Sequence, residues 1–84
     1  MTALRIRCRL FARYAEVTGR EEVELELPAS AHIADAVAAL RAQVPGGELL
    51  PTHPLVARNR RHALPTEPLT DGDELAFLPP LAGG

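Results

Sequence analysis

The fold is decided by the stretch Leu4-Arg5-Ile6-Arg7-Cys8-Arg9-Leu10, in which apolar side chains alternate with arginines. Alternation with a period of two is typical of a β-strand that is buried on one face. Cys8 belongs to the apolar set, so we expect it inside, as a small buried side chain and not as a reactive thiol. The chain therefore opens with a half-buried strand whose outer face is basic.

A second alternating run, Glu22-Val23-Glu24-Leu25-Glu26-Leu27, has the opposite charge. In one antiparallel register, every outer site pairs an arginine with a glutamate. The pairs are Arg9 with Glu22, Arg7 with Glu24, and Arg5 with Glu26. A slip by one residue would turn the apolar side chains to water, so the two runs predict a hairpin in this register.

A helix of about three turns is predicted after the hairpin, because apolar residues recur at spacings of three and four. These residues are Ile33, Ala36, Val37, Leu40 and Val44. Ser30 or His32 is the candidate N-cap, and Asp35 lies in the first turn, where the helix dipole favours an anion. Pro45-Gly46-Gly47 ends the element.

Two shorter apolar stretches predict the remaining strands. Leu55–Ala57 enters a turn at Asn59-Arg60, and Glu74–Leu78 follows the turn Asp71-Gly72-Asp73. With a final strand that lies beside the first, this order of elements is that of an α+β, β-grasp domain, as in ubiquitin. We expect a mixed sheet of about four to five strands with one main helix packed on it.

The last strand presents two different faces. Leu75 and Phe77 alternate with Ala76 and Leu78. If the first pair fills the core, Leu78 is an apolar residue on the surface, beside the C-terminal tail. The strand therefore predicts a surface site next to the chain terminus.

Two positions are open for Phe11. It either continues the arginine-bearing face of the first strand, or it turns into the core where that strand ends. In the first position it would form a small apolar patch with Leu78, extended by Leu64 or the edge of His62. On a monomer, an exposed apolar patch often marks a partner contact.

Length and composition exclude several classes of protein. With 84 residues, the chain has room for one small core and not for a self-contained enzyme cleft. No apolar run approaches the roughly 20 residues that span a bilayer, and arginines interrupt any signal-peptide pattern, so we expect a cytoplasmic protein without membrane contact. The net charge of −2 gives no reason to expect nucleic acid. The single cysteine excludes an internal disulfide, and no metal site is expected.

The terminus Pro79-Pro80-Leu81-Ala82-Gly83-Gly84 carries the candidate chemistry. Proline lacks a backbone N–H and favours extended backbone, so the two prolines end strand pairing and direct the tail away from the domain. We expect residues 1–80 to form the β-grasp domain and residues 81–84 a flexible tail. An ordinary frayed terminus is the alternative.

The carboxylate of Gly84 is the candidate working group. Glycine lacks Cβ, so an incoming enzyme can close around the backbone, and Gly83 gives access to the reacting carbon of Gly84. A terminal carboxylate is an anion at neutral pH and a poor acyl donor. Another protein must therefore activate it.

The run from Glu67 to Gly84 resembles the C-terminal signature of the small subunits of molybdopterin synthase, the MoaD branch of the ubiquitin-like sulfur carriers. The stretch Leu10–Arg13, with Gly19 behind it, is similar to the first strand and turn of that family. Val56 followed by Asn59 resembles its Val-Asn turn. The resemblance thus spans the chain.

The chain departs from the family pattern in two places. Leu81-Ala82 stands where many members have Val with Ser or Thr, which is a chemically mild change. Residues 58–62 are more basic than is usual in the family. This second departure leaves the details of the partners open.

The resemblance implies a carrier cycle. A ubiquitin-activating-like adenylyltransferase would use ATP to adenylate Gly84, and a sulfur donor system would then leave a thiocarboxylate there. The tail would enter the large subunit of molybdopterin synthase, expected as a heterotetramer, and deliver sulfur to cyclic pyranopterin monophosphate. The large subunit would supply the catalytic residues, so the chain would bind no cofactor and would not be catalytic alone. The residues implied in docking are Phe11, Ala76, Leu78 and Leu81.

Other functions stay open. A carrier of the same class could serve thiamine synthesis, tRNA thiolation or cysteine synthesis. From a different class, the domain could be a noncatalytic binding module or a protein modifier that is conjugated to lysines. All nine basic residues are arginine, so a modifier of this sequence could not build lysine-linked chains of itself.

Overall fold

The computed structural model describes residues 3–80, which form five strands and two α-helices. The strands are β1 (Ala3–Leu10), β2 (Glu22–Pro28), β3 (Leu55–Arg58), β4 (Arg61–Ala63) and β5 (Glu74–Leu78). The helices are α1 (Arg13–Thr18) and α2 (Ile33–Gln43), and a short 3₁₀ helix covers Gly47–Leu49. No helix in the described part of the chain is long and apolar enough to cross a membrane.

The strands form one mixed sheet in the order β2-β1-β5-β3-β4. The central strands β1 and β5 are parallel, while the other neighbours are antiparallel. Because α2 joins the two halves of the sheet and buries its apolar stripe against them, the arrangement is the predicted β-grasp fold.

The pairing of β1 with β2 confirms the predicted register. All three arginines of β1 stand opposite glutamates of β2: Arg9 with Glu22, Arg7 with Glu24, and Arg5 with Glu26. The salt bridge in this ladder is nevertheless diagonal. Arg7 Nε lies 3.3 Å from the carboxylate of Glu22 and not beside Glu24, its direct partner. Long side chains reach diagonal neighbours on a sheet, so the register does not by itself fix which charges touch.

The core lies between the sheet and α2. Cys8 and Leu75 are fully buried, and Phe77 is nearly so, as predicted. The whole predicted stripe of α2 is buried as well: Ile33, Ala36, Val37, Leu40 and Val44. The face that carries these inward side chains is called the inner face of the sheet below, and the opposite face is the outer face.

Local sequence explains where the helices begin and end. His32 is the N-cap of α2, and its backbone N–H donates to the Asp35 carboxylate over 2.7 Å. The short helix α1 ends at Gly19, whose φ of +69° is easy for glycine and whose N–H donates to the carbonyl of Ala15.

The strand β4 was not predicted. It pairs with β3 across the turn Asn59-Arg60, whose φ angles of +49° and +74° are typical of a tight hairpin turn. The Asn59 side chain holds this turn to the start of β5, because it accepts the N–H of Glu74 and donates to Asp73, both over 3.0 Å. The sequence did not predict β4, because a strand of three residues, two of them polar, is too short to show a period of two.

Candidate functional site

The outer face of the sheet differs between its two halves. On β1 and β2 it carries the rows of arginine and glutamate, and we call this the charged half. On β5, Glu74 lies on the outer face at the start of the strand. The residues beyond it on the outer face of β5 and β3 are small or apolar, in two directly opposed pairs: Leu78 with Leu55, and Ala76 with Ala57. This second half lies where β5 ends and the chain enters Pro79-Pro80.

Phe11 borders these two pairs. The strand β1 stops at Leu10, which pairs with Phe77, so Phe11 stands one position further along, toward Leu78. The guanidinium of Arg9, an outer-face residue, lies 5.3 Å from the centre of the Phe11 ring, which is cation–π distance. Phe11 is half-buried and is not part of the core cluster.

Each of the two predictions for Phe11 was therefore partly correct. The strand has ended, as one alternative required, but the ring stays on the outer side, as the other required. Ala12 has a φ of +49° and makes the turn into α1 directly after it. This turn sends the backbone toward α1, while the ring stays beside Arg9.

We call Phe11, Leu55, Ala57, Ala76 and Leu78 the apolar patch. Leu55 is 48% exposed, although leucine is usually buried, while Ala76 and Leu78 are half-buried. Leu55 was missed in the sequence, because only the pairing of β3 with β5 shows that it opposes Leu78. The four strand residues of the patch are thus adjacent by pairing, and Phe11 stands one position beyond the end of β1, on the side of Leu78.

The two residues proposed to extend the patch lie on its β4 side. His62 is exposed and pairs with Ala57, so it stands on the outer face directly beside the patch. Leu64 follows β4 and is 56% exposed. The structure thus places His62 at the patch border by strand pairing, whereas Leu64 lies beyond the ladder.

A groove of about 360 Å³ adjoins the patch at the start of the tail. Its lining is mostly ring and apolar side chains: Tyr14, Pro51, His53, Pro54, Leu55 and Pro80. Burial raises the pKa of Tyr14 above its ordinary value. Because Pro80 forms one wall of the groove, a partner that binds the tail would contact the groove as well as the patch.

Cys8 is closed off from chemistry in the folded chain. Burial raises its thiol pKa from 9.0 to about 12, so the sulfur is neutral at physiological pH, and its side chain has no exposed surface. A neutral, inaccessible thiol is neither a nucleophile nor a carrier of sulfur. Within residues 3–80, no group of three or more His, Cys, Asp or Glu is arranged to hold a metal ion.

The strand β5 ends at Leu78, directly before the two prolines, as predicted. Of the predicted site residues, Phe11, Ala76 and Leu78 lie together on the apolar patch. Leu81, Gly83 and Gly84 lie outside the described residues. The structure therefore shows where the tail is attached and which surface surrounds that point.

Sequence comparison finds a match to the model of the ThiS family over residues 8–84. The chain is 36% identical to the molybdopterin synthase sulfur carrier subunit of Chlamydomonas reinhardtii, over 96% of this chain and all of that protein. It is also 38% identical to small archaeal modifier protein 1 of Haloferax volcanii, over 90% of this chain and 97% of that one.

Solved structures share the fold. The crystal structure of the Haloferax volcanii modifier superposes with a TM-score of 0.84 at 35% identity, covering 95% of this chain and 99% of that one. One chain of the Helicobacter pylori complex of subunits 1 and 2 of molybdopterin-converting factor superposes with a TM-score of 0.69. It is 22% identical, and the match covers 96% of this chain and 100% of that one. The ubiquitin of Caldiarchaeum subterraneum superposes with a TM-score of 0.68 over 99% of this chain and 100% of that one. At 19% identity, this likeness shows a shared fold alone.

Proposed function

The chain belongs to the ThiS family of ubiquitin-like sulfur carriers, and we propose that it is the sulfur carrier subunit of a molybdopterin synthase. One observation carries the choice of pathway. The similarity to the carrier subunit of Chlamydomonas reinhardtii runs over 96% of this chain and the full length of that protein. In this proposal Gly84 is adenylated, becomes a thiocarboxylate, and donates its sulfur to cyclic pyranopterin monophosphate.

The chemistry requires two steps at the same carbonyl carbon. Adenylation joins a carboxylate oxygen of Gly84 to the α-phosphate of ATP and releases pyrophosphate, so the poor acyl donor becomes a mixed anhydride. Sulfur at the oxidation level of sulfide, supplied by the donor system, then attacks the carbonyl carbon. The bond from this carbon to the AMP oxygen breaks, AMP leaves with that oxygen, and the thiocarboxylate remains. Gly83 and Gly84 present no Cβ that would block either approach.

The domain supplies binding and not catalysis in this cycle. Phe11, Ala76 and Leu78, together with Leu81 of the tail, dock the partner, and we add Leu55 because it opposes Leu78. Burying a large apolar side chain contributes roughly 1.5–3 kcal/mol, so Phe11, Leu55, Leu78 and Leu81 together would supply a large part of the binding energy. Residues 1–80 serve as the docking domain and residues 81–84 as the tail that reaches the active site of another protein.

The partners follow from this division of labour. A molybdopterin synthase large subunit, in a heterotetramer with this chain, receives the tail and supplies the catalytic residues. A ubiquitin-activating-like adenylyltransferase supplies ATP chemistry, and a sulfur donor system supplies the sulfur. We place this cycle in the cytoplasm.

Reconstitution with the large subunit of the same organism tests the proposal. Deletion of Gly84 is expected to abolish molybdopterin formation and to leave the melting temperature unchanged, because the core cluster consists of residues between Leu4 and Phe77. Ala82→Ser is the matched control: it brings the tail closer to the family pattern, keeps the terminal carboxylate, and should retain activity. A protein without Gly84 that still supports synthesis would refute the proposal.

A second candidate, protein modification, is favoured by the 38% identity to small archaeal modifier protein 1. A modifier would form covalent adducts in cells, seen as bands of higher mass that disappear when Gly84 is deleted. Carriers for thiamine synthesis, tRNA thiolation or cysteine synthesis would form no such bands. They would also not bind the large subunit, so capture by the large subunit or by a thiazole synthase separates the pathways.

A further inference from the structure

The arginines of β1 face acids from the same chain, as the hairpin register shows. Arg58 is also neutralised within the chain, because its guanidinium lies 3.6 Å from Glu67 and 3.7 Å from Asp73. Arg41 donates to the carbonyls of Leu50 and Glu48, which close the 3₁₀ segment. Each of these arginines has an acidic residue or a backbone carbonyl of the same chain as its neighbour, which leaves little charge for a partner.

Arg60 and Arg61 differ from them. Within residues 3–80, neither takes part in a salt bridge or in a side-chain hydrogen bond, and both are exposed. Arg13 and Arg20 are also exposed, but glutamates lie near them in sequence, on α1 and at the start of β2. The densest uncompensated positive charge in the described chain is therefore at the turn between β3 and β4.

The turn is held firmly in place, so these two side chains project from a fixed base. Asn59 is fastened to β5 by three hydrogen bonds with Asp73 and Glu74, of 2.8 to 3.0 Å. Arg58 donates to the carbonyl of Pro68 over 2.7 Å. A preorganised charge costs less ordering entropy on binding than a flexible one.

The turn is also continuous with the apolar patch. A row of paired residues crosses the outer face from Ala76 through Ala57 to His62. Next to His62, a cleft of about 400 Å³ is lined by Arg58, Asn59, Arg61, His62 and Glu67. We call Arg60, Arg61 and His62 the basic edge. His62 bounds the patch on the side opposite the charged half, and Arg60 lies in the turn next to it. Arg61 pairs with Arg58, in the row of Leu75, so it lies on the other face of the same edge.

We propose that the basic edge docks against an acidic surface of the molybdopterin synthase large subunit, next to the apolar patch, and fixes the orientation of the carrier. This inference rests on the proposed function. The whole chain has a net charge of −2, so its overall charge would repel an acidic partner, and only a local cluster can attract one. Arginine suits this task because its planar guanidinium binds a carboxylate through two hydrogen bonds.

Charge reversal at matched positions tests the inference. Arg60→Glu and Arg20→Glu change the net charge equally, but Arg20 lies just before β2, at the opposite edge of the sheet. Binding to the large subunit is measured at about 50 mM and about 500 mM salt. We expect Arg60→Glu to raise Kd about tenfold at low salt and less than about twofold at high salt, and Arg20→Glu to change it less than about twofold at both.

Further variants separate failure of this inference from failure of the proposed function. Leu78→Asp should weaken binding at both salt concentrations, and Arg60→Gln should reproduce part of the loss seen with Arg60→Glu. If Leu78→Asp weakens binding but Arg60→Glu behaves like Arg20→Glu, the basic edge is not a docking element, while the proposed function stands. If the wild-type chain does not bind the large subunit at all, both proposals fail.

A mixed tRNA sample, as a probe for nucleic acid, gives the remaining arm of the test. Binding of tRNA by the wild-type chain that is lost in Arg60→Glu would overturn the inference, because the basic edge would then serve nucleic acid. No retention of tRNA, together with the salt-dependent loss of large-subunit binding, supports it.

Discussion

The charged half and the apolar patch lie on the same face of one sheet, but they expose different kinds of side chains to water. On the charged half, each arginine of β1 stands opposite a glutamate of β2, so the chain itself provides the partners. On the apolar patch, Leu55 opposes Leu78, and neither side chain has a polar group that water could solvate. The first surface therefore has its polar partners in the free domain, whereas the second is the surface that our proposal assigns to a partner protein.

The strand β5 shows the same contrast within five residues. Leu75 and Phe77 point into the core, while Ala76 and Leu78 point to the outer face at the root of the tail. One strand thus stabilises the fold with one set of side chains and offers a surface with the other. Substitutions on its two sides should separate stability from binding.

The largest effect on stability is expected from a substitution in the core. Phe77→Ala should lower the free energy of unfolding by about 3–5 kcal/mol, because it removes a large ring that is 1% exposed and leaves a cavity. Chemical denaturation measures it. A loss below about 1 kcal/mol would show that β5 does not anchor the core, and the contrast between its two faces would disappear.

On the apolar patch, Leu78→Asp should weaken binding of the large subunit by about 2–3 kcal/mol, or roughly 30- to 150-fold in Kd. The free energy of unfolding should change by less than about 1 kcal/mol, because Leu78 is only half-buried. Calorimetric titration and denaturation of the same sample give both numbers. Glu24→Gln, on the charged half, is the control that should leave binding unchanged. Equal losses in the two variants would contradict the division of the outer face.

Beneath the charged half, Cys8 predicts a loss of stability in alkali. The folded chain holds the thiol protonated up to a pKa of about 12, whereas in the unfolded chain it ionises from the ordinary value of 9.0. The unfolded state therefore binds fewer protons between these values, and the free energy of unfolding should fall by up to about 1.4 kcal/mol per pH unit above pH 9.

Cys8→Ala isolates this effect. The variant is less stable at neutral pH because of its cavity, but its free energy of unfolding should decline less steeply between pH 9 and 12. Tyr14, whose pKa is also raised by burial, contributes to the remaining slope in both proteins. Identical slopes in the two proteins would mean that the thiol is reached by water in the folded state.

The smallest effect is expected from the salt bridge of the charged half. Arg7 and Glu22 are both more than half exposed, so a double-mutant cycle with alanine should give a coupling of only about 0.2–1 kcal/mol. The coupling should shrink further in high salt. A coupling well above this range would indicate that charge pairing, and not the apolar pattern, fixes the register of the hairpin.

Much of the fold could be predicted because several patterns agreed. In β1 and β2, period and charge pointed to the same register, and a slip would have exposed every apolar side chain. The stripe of α2 and the inward pair Leu75 and Phe77 were equally clear, because a buried element has one apolar face.

The remaining features depend on contacts between distant parts of the chain. The strand β4 exists because Asn59 is fastened to β5, a contact across fifteen residues that no local pattern shows. Leu55 becomes a surface residue only when β3 is placed beside β5. Phe11 stays outside the core because Arg9 and the turn at Ala12 hold it there.

Gly84 is proposed to carry sulfur, and the mass of the C-terminal peptide is a direct test of this proposal. The chain should be isolated with its own activating enzyme and sulfur donor. Exchange of oxygen for sulfur adds about 16 Da, nearly the mass that oxidation of Met1 or Cys8 adds, so the shift must be localised to Gly84 and be alkylatable there. We expect this mass shift on Gly84. An unmodified Gly84 in cells that are making molybdopterin would contradict it.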